Sequence, residues 1–294
     1  MTETLTFTTP DGRTLCAEVA GRRDGPAILI HQGMPNSRLL FEPWIEDAER
    51  RGAFLVCYER PGYGDSTPRP GYRVADGAAD TATVADGLGL GRFVVWGISG
   101  GGPHALACAA LLPDRVAAAA TIGSPAPFDA DGLDYFAGMG QENVDDMKLE
   151  LSDPAAARRK AEADRQEMLA MSDEDPGLGS ETLVSNADTA VLTGPFGRHF
   201  HRCVQSGLAP GSGGWWDDGQ ATITPWGFDV AQIRVPFKVW HGAQDQFVPF
   251  GHGKWLAERI PGAESSLREQ DGHLNVVAER IGEVHDWLLA RLTP

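Results

Sequence analysis

Five short apolar runs recur along this chain, at 27–31 (AILIH), 53–58 (AFLVCY), 92–97 (RFVVWG), 116–123 (VAAAATIG) and 237–242 (FKVWHG). Each is too apolar to leave either side in water, so each reads as a strand buried on both faces. Helices are the usual cover for such strands, and the segments between them supply helical spacing at 38–51, 74–88, 103–112, 254–260 and 280–292. In the last of these Ile281, Val284, Trp287 and Leu288 share one face. Strand–helix–strand alternation predicts an α/β fold, a mostly parallel twisted sheet flanked by helices on both sides. The first twenty residues differ, reading as two strands around Asp11-Gly12 and hence as an antiparallel hairpin.

One region interrupts the alternation. From 125 to 226 no buried-strand run occurs, and helical stretches (153–171 and 180–192) and a Gly-rich link (207–219) take its place. Its flanks both return to the sheet, which favours an insertion over a separate domain. The expected organisation is a core of 1–124 and 227–294 with a helical cap at 125–226, seated over the carboxyl edge of the sheet where ligands bind in such folds. Gly207, Gly211, Gly213 and Gly214 suggest a hinge for that cap.

Charge and cysteine content remove several function classes. Twenty-five basic against 41 acidic residues give a net charge of −16, which disfavours nucleic acid and anionic membrane as partners. No apolar run approaches the ~18 residues that span a bilayer, and the opening residues lack a secretory signal pattern, so a cytoplasmic location is expected. Cys16, Cys57, Cys108 and Cys203 are scattered without C-x-x-C pairing and read as buried, reduced thiols. Nothing in the sequence speaks to oligomeric state.

The chemistry starts at Gly97-Ile98-Ser99-Gly100-Gly101, a G-x-S-x-G between an apolar strand and an Ala-rich helix. A sharp strand-to-helix turn needs small neighbours and lifts the serine hydroxyl to a helix N-terminus, where developing negative charge is favoured. A serine nucleophile needs a base and an orienting carboxylate. Asp245 follows the strand end His241-Gly242, and His273 comes 28 residues later, after a short strand-like run at 265–269.

At this point the chain resembles the α/β-hydrolase superfamily, in its capped serine-hydrolase branch. The resemblance rests on IHQGMPNSR, ERPGYGDS, GISGGGPHALA, and HGAQDQFVP together with DGHLNVV, and it covers most of the chain outside the cap. It implies Ser99 as nucleophile, Asp245 as acid and His273 as base, with the backbone N–H groups of Met34 and Gly100 as oxyanion donors. It also implies no cofactor and no metal. The family's His-Gly is replaced by Gln32-Gly33, so Gln32 either lines the site or braces its loop.

Other residues carry competing readings. His104, one turn into the helix after Ser99, reads as packed under the sheet, His31 and His241 as buried histidines at strand ends, and His252 and His285 as helix-surface residues. His199 and His201 make a weak H-x-H metal signal. Asp129 and Asp131 are rival acids. Of Phe128, Phe136, Trp215 and Trp216, at least one is expected in a substrate pocket, the alternative being that the tryptophans anchor the cap.

The expected activity is two-step hydrolysis of small to medium, largely apolar carboxylic esters or lactones, with a small molecule as substrate. An aminopeptidase resembling the proline iminopeptidases is the amide alternative, with Asp217 or Asp218 gripping the amine. A carbon–carbon bond hydrolase is another. A ligand-binding relative without turnover is the alternative from outside enzymology.

Overall fold

In a computed structural model that describes residues 1–171 and 183–292, the apolar runs form one eight-stranded sheet. β1 (Glu3–Thr8) and β2 (Thr14–Gly21) make the opening hairpin. There follow β3 (Ala27–His31), α1 (Glu42–Arg50), β4 (Phe54–Tyr58), α2 (Asp76–Gly87), β5 (Phe93–Ile98), α3 (Gly102–Leu111) and β6 (Val116–Ile122). After β6 come α4 (Gln141–Ser152), α5 (Pro154–Ala170), α6 (Asn186–Leu192), α7 (Pro195–Leu208) and α8 (Gly213–Ile223). The chain then returns to the sheet with β7 (Phe237–Gly242), α9 (Phe250–Arg259), β8 (Glu264–Arg268), α10 (Leu274–Glu279) and α11 (Ile281–Leu289).

The strand order is β1-β2-β4-β3-β5-β6-β7-β8, antiparallel at its first two joins and parallel from β4 onward. The central strands are covered on both faces, as their composition predicts. Leu29 packs in the layer that holds α2, α3 and α9, through Val84, Leu106 and Leu256. Its neighbours Ile28 and Ile30 pack in the layer of α1, α10 and α11, against Trp44, Val277 and Leu288. Register aligns the carboxyl ends, pairing His31 with Gly97, Ile98 with Ile122, and Ile122 with Trp240. Whatever follows those strands therefore meets at one edge.

Prolines adjust two helix starts. α1 begins at Glu42 with Pro43 in its first turn, later than the apolar pattern suggests, and α9 starts at Phe250, directly after Pro249. The helical stretch expected at 180–192 is helical from Asn186, and its residues 180–182 lie outside the described residues.

Two histidines correct the sequence reading. His252 and His285 are fully buried, not surface residues. His285 faces α1, where its Nδ1 lies 2.8 Å from Asp47. His252 accepts the Ala126 N–H at 3.0 Å and donates to the Tyr135 carbonyl at 2.9 Å, so it pins the start of the insertion. Each histidine lies on the side of its helix that packs against a neighbouring element, while Lys254, Glu258, Glu283 and Asp286 of the same two helices are exposed. The four cysteines are buried free thiols.

The expected hinge is packed at two of its four glycines. A Cβ at Gly207 would stand 2.3 Å from the Pro35 carbonyl, and one at Gly214 2.4 Å from the Gly62 backbone. These contacts seat α7 and α8 directly on the loops after β3 and β4. Hydrogen bonds from Ser37 N–H to the Cys203 carbonyl (3.1 Å) and from Gly64 N–H to the Gly207 carbonyl (3.1 Å) secure the same junction.

Candidate active site

Ser99 stands immediately after β5, with φ +52°, and among the described residues it is the one non-glycine residue with positive φ. That conformation costs an L-residue roughly 1–2 kcal/mol and is held by the tight packing around it. A Cβ at Gly97 would lie 2.3 Å from the Gly101 carbonyl oxygen, and one at Gly101 2.1 Å from the His31 carbonyl oxygen. Only glycine lets β5, the turn and β3 approach so closely.

The histidine and the aspartate singled out in the sequence meet beside this serine. His273 Nδ1 lies 2.6 Å from Asp245 Oδ2, and the His273 ring stacks on Phe247 with centroids 4.9 Å apart. Asp245 Oδ1 accepts the N–H groups of Phe247 (3.0 Å) and Val248 (2.8 Å), which fixes the carboxylate independently of the histidine. His241 also faces Oδ2, at 3.4 Å, while its Nε2 donates to the Val248 carbonyl at 2.8 Å. Ser99 and His273 border one small cavity. Asp129 and Asp131 are exposed, and the rival acids stay outside this cluster.

Electrostatics follow from that geometry. Burial raises the Asp245 pKa, but the charge and hydrogen bonds of His273 and His241 outweigh it and hold the carboxyl down at about 2. Burial disfavours protonated His273, yet Asp245, by charge and hydrogen bond, and Asp188, by charge, raise its pKa above the ordinary 6.5. With Nδ1–H committed to Asp245, Nε2 is the nitrogen free to take a proton.

Met34 and Gly100 are neighbours in space. A Cβ at Gly100 would stand 2.7 Å from the Met34 side chain, and both residues border the larger cavity with Ser99. Gln32 braces its loop. Its Nε2 donates to the Leu39 carbonyl at 3.1 Å, and its own carbonyl accepts from Arg60 at 2.5 Å. It also borders the small cavity.

Two cavities open from Ser99. One is about 640 Å³, with Met34, Tyr135, Met139, Met147, Trp215 and Trp216 among its walls. The other, about 60 Å³, is bordered by Gln32, Asn36, Phe200 and His273. The two tryptophans therefore stand on the wall of the large cavity. Phe128 and Phe136 do not; they pack edge-to-face on Tyr135, with centroids 4.9 and 5.6 Å away, and Tyr135 takes the wall position. Polar groups of the outer wall are mutually engaged. Lys160 sits between Asp146 (3.0 Å) and Asp164 (2.7 Å), and Glu150 accepts from Gln220 at 2.5 Å.

One of the two aspartates considered for gripping an amine is occupied elsewhere. Asp218 is fully buried and bound by Arg60, Tyr63, Tyr72 and His104. His104, expected merely to pack, thus donates to a carboxylate of the insertion. His199 packs on Phe41, ring centroids 5.0 Å apart.

Several residues of this site carry no local sequence signal. Gly123 has φ +54° and faces the His273–Asp245 pair, where a Cβ would stand 2.9 and 3.1 Å from the two side chains. Phe247, Tyr135 and Asp188 were likewise unmarked. A glycine directly after a buried strand was the one available clue, and it applied to Gly123 alone.

Known proteins resemble this chain along most of its length. A bifunctional esterase/perhydrolase of Acinetobacter calcoaceticus is 28% identical over 258 residues, 86% of this chain and 87% of the relative. A non-heme chloroperoxidase of Streptomyces lividans is 27% identical over 269 residues, 91% of each. The solved structure of an esterase from Exiguobacterium antarcticum shares the fold, with TM-score 0.73 at 22% identity over 97% of this chain and 98% of that one. Residues 26–191, more than half of the chain, match the family described as alpha/beta hydrolase fold, and the chain belongs to that family.

Proposed function

We propose that the protein is a serine hydrolase of small to medium, largely apolar carboxylic esters or lactones, acting through Ser99, His273 and Asp245. The observation that carries this reading is the buried 2.6 Å contact between His273 and Asp245 beside a serine held at positive φ. His273 Nε2 takes the Ser99 proton as Oγ attacks the substrate carbonyl, and the N–H groups of Met34 and Gly100 hold the oxyanion. The tetrahedral intermediate collapses with proton transfer from His273 to the departing alkoxide. Water, deprotonated by the same histidine, then opens the acyl-enzyme and frees Ser99. Asp245 keeps His273 in the tautomer this requires and stabilises its cation.

The helical insertion at 125–226 acts as the cap, and the large cavity beneath it receives the apolar part of the substrate. Its methionines and tryptophans favour ester and lactone substrates. The amide reading loses one of its two candidate amine anchors, because Asp218 is bound on all sides by its own protein. A second reading draws on the relative named as an esterase/perhydrolase. Hydrogen peroxide attacking the acyl-enzyme in place of water would release a peracid and regenerate Ser99.

Hydrolysis of p-nitrophenyl esters across acyl chain lengths, with Ser99→Ala beside the wild type, tests the main reading. The wild type should turn over and the variant should fall by about 10⁴-fold or more. A wild type inert on every ester would sink it. Added peroxide, with peracid as the readout, tests the second.

A further inference from the structure

The loop that carries His273 is held by a carboxylate from the insertion. Asp188, fully buried on the first turn of α6, accepts three consecutive backbone N–H groups: His273 (3.0 Å), Leu274 (2.6 Å) and Asn275 (3.0 Å). Its Oδ2 also receives the Ser185 hydroxyl at 2.8 Å, and Ser185 in turn caps α6 by accepting the Asp188 N–H at 3.2 Å. A Cβ on Gly272 would come within 2.4 Å of both the Asp188 carboxylate and the Ser185 hydroxyl, so the loop is closed down onto this pair.

We propose that Asp188 is a positioning residue of the active site, a second carboxylate that sets the place and the basicity of His273 from the cap side. The proposal rests on the reading of His273 as the base. Asp245 fixes the ring through Nδ1, and Asp188 fixes the backbone from which the ring hangs. Because Asp188 belongs to the insertion, the base is in register only while α6 is seated on α10, and cap seating and catalysis are coupled. The carboxylate also lends its negative charge to the histidine, in the direction that favours the imidazolium. Among the described residues, the buried titratable groups around the loop are Asp245, His241, which shares Asp245, and Asp271, which is engaged by Arg268 and Arg280, while Glu269 of the loop is exposed.

The test uses the full-length protein and Asp188→Asn, which keeps the shape, removes the charge and turns an N–H donor toward the loop's own donors. The readouts are p-nitrophenyl butyrate hydrolysis as a function of pH and the rate at which a fluorophosphonate labels Ser99. The expected result is a kcat lower by about tenfold, as a displaced general base should give, with KM within about twofold. Labelling should slow in parallel, and the acid limb of kcat/KM should move to lower pH. An acid limb that stays in place, with only thermal stability reduced, overturns the proposal and leaves Asp188 a structural tie. Should Asp188→Asn fail to fold, Ser185→Ala decides. It loosens the carboxylate without removing its charge and should lower kcat severalfold, and a wild-type kcat there overturns the proposal. Ser99→Ala separates the two layers. If that variant stays active, the reading of the base itself fails, whereas an inactive Ser99→Ala beside an unaffected Asp188→Asn rejects the role of Asp188 alone.

Discussion

Arg60 and Asp218 form a buried ion pair between the loop after β4 and α8, with contacts of 2.5 to 3.1 Å. The same guanidinium donates to the Gln32 carbonyl at 2.5 Å, one residue before the Gly33-Met34 turn proposed to bind the oxyanion. Tyr63, Tyr72 and His104 supply further donors to the carboxylate, at 3.0, 2.5 and 3.1 Å. Burial works against the Asp218 charge, yet Arg60 and His104 hold its carboxyl well below the usual range. One charge cluster thus locks α8 to the loop after β4 and steadies the loop after β3.

Removing one member of such a pair strands the other in the interior. Asp218→Ala should therefore lower unfolding free energy by about 3 to 5 kcal/mol, measured by urea denaturation. A loss under about 1 kcal/mol would mean that Arg60 finds water or another partner at once, and that the junction is looser than its geometry indicates.

Gly123 supports the site more locally. An alanine there must adopt φ +54° and place its methyl about 3 Å from His273 and Asp245. The ring has to shift, and a displacement near 1 Å is enough for a loss of about 10²-fold in kcat. Gly123→Ala should show that loss while remaining folded by circular dichroism. Wild-type kcat would place the catalytic histidine elsewhere than in this pair.

The sequence exposed what depends on neighbouring residues. Five strands announced themselves because burial on both faces leaves no polar alternation, and the serine turn announced itself because its close approaches demand glycine. Asp245 and His273 were singled out by order along the chain, since each follows a strand of the same parallel sheet. Partnerships between distant residues were hidden. Asp218 reads as an acid beside two tryptophans that could grip an amine, and nothing near it points to Arg60, 158 residues earlier. His252 and His285 looked solvent-facing because amphipathic spacing tells which face is apolar, not whether the polar face meets water or a neighbouring helix. Asp188 was invisible for the same reason, its partners being backbone groups that every residue carries.

The pH dependence of activity has a definite sign. In the proposed mechanism His273 must be neutral to accept the Ser99 proton, and its pKa lies above the ordinary 6.5 because Asp245 outweighs the effect of burial. The acid limb of kcat/KM should accordingly fall above pH 6.5, and Asp245→Asn should cut kcat by about 10⁴-fold through loss of tautomer and charge. The linked stability terms run in opposite directions. The contribution of Asp245, held at about 2, is complete above 3.8 and is lost as the pH falls from there toward 2. The contribution of His273 is complete below 6.5 and is lost as the pH rises through its elevated value. A pH–rate profile with its acid limb below 6 would contradict the proposed pairing.

The large cavity makes a quantitative prediction about substrate length. Each methylene buried against Met139, Met147 and Trp216 adds about 0.8 kcal/mol of binding, or roughly fourfold in kcat/KM, until the cavity of about 640 Å³ is filled. A plot of log kcat/KM against acyl length should therefore climb steadily and then break. Trp216 stands on the cavity wall, with the Arg158 guanidinium 5.9 Å from its ring centroid. Trp216→Ala opens that wall, so the break should move to longer acyl chains while the slope below it stays the same and fluorophosphonate labelling of Ser99 proceeds at the wild-type rate. A break at the same length in both proteins would show that the acyl chain does not run along Trp216, and the acyl group would then have to be assigned to the 60 Å³ cavity beside Asn36, with the large cavity holding the leaving group.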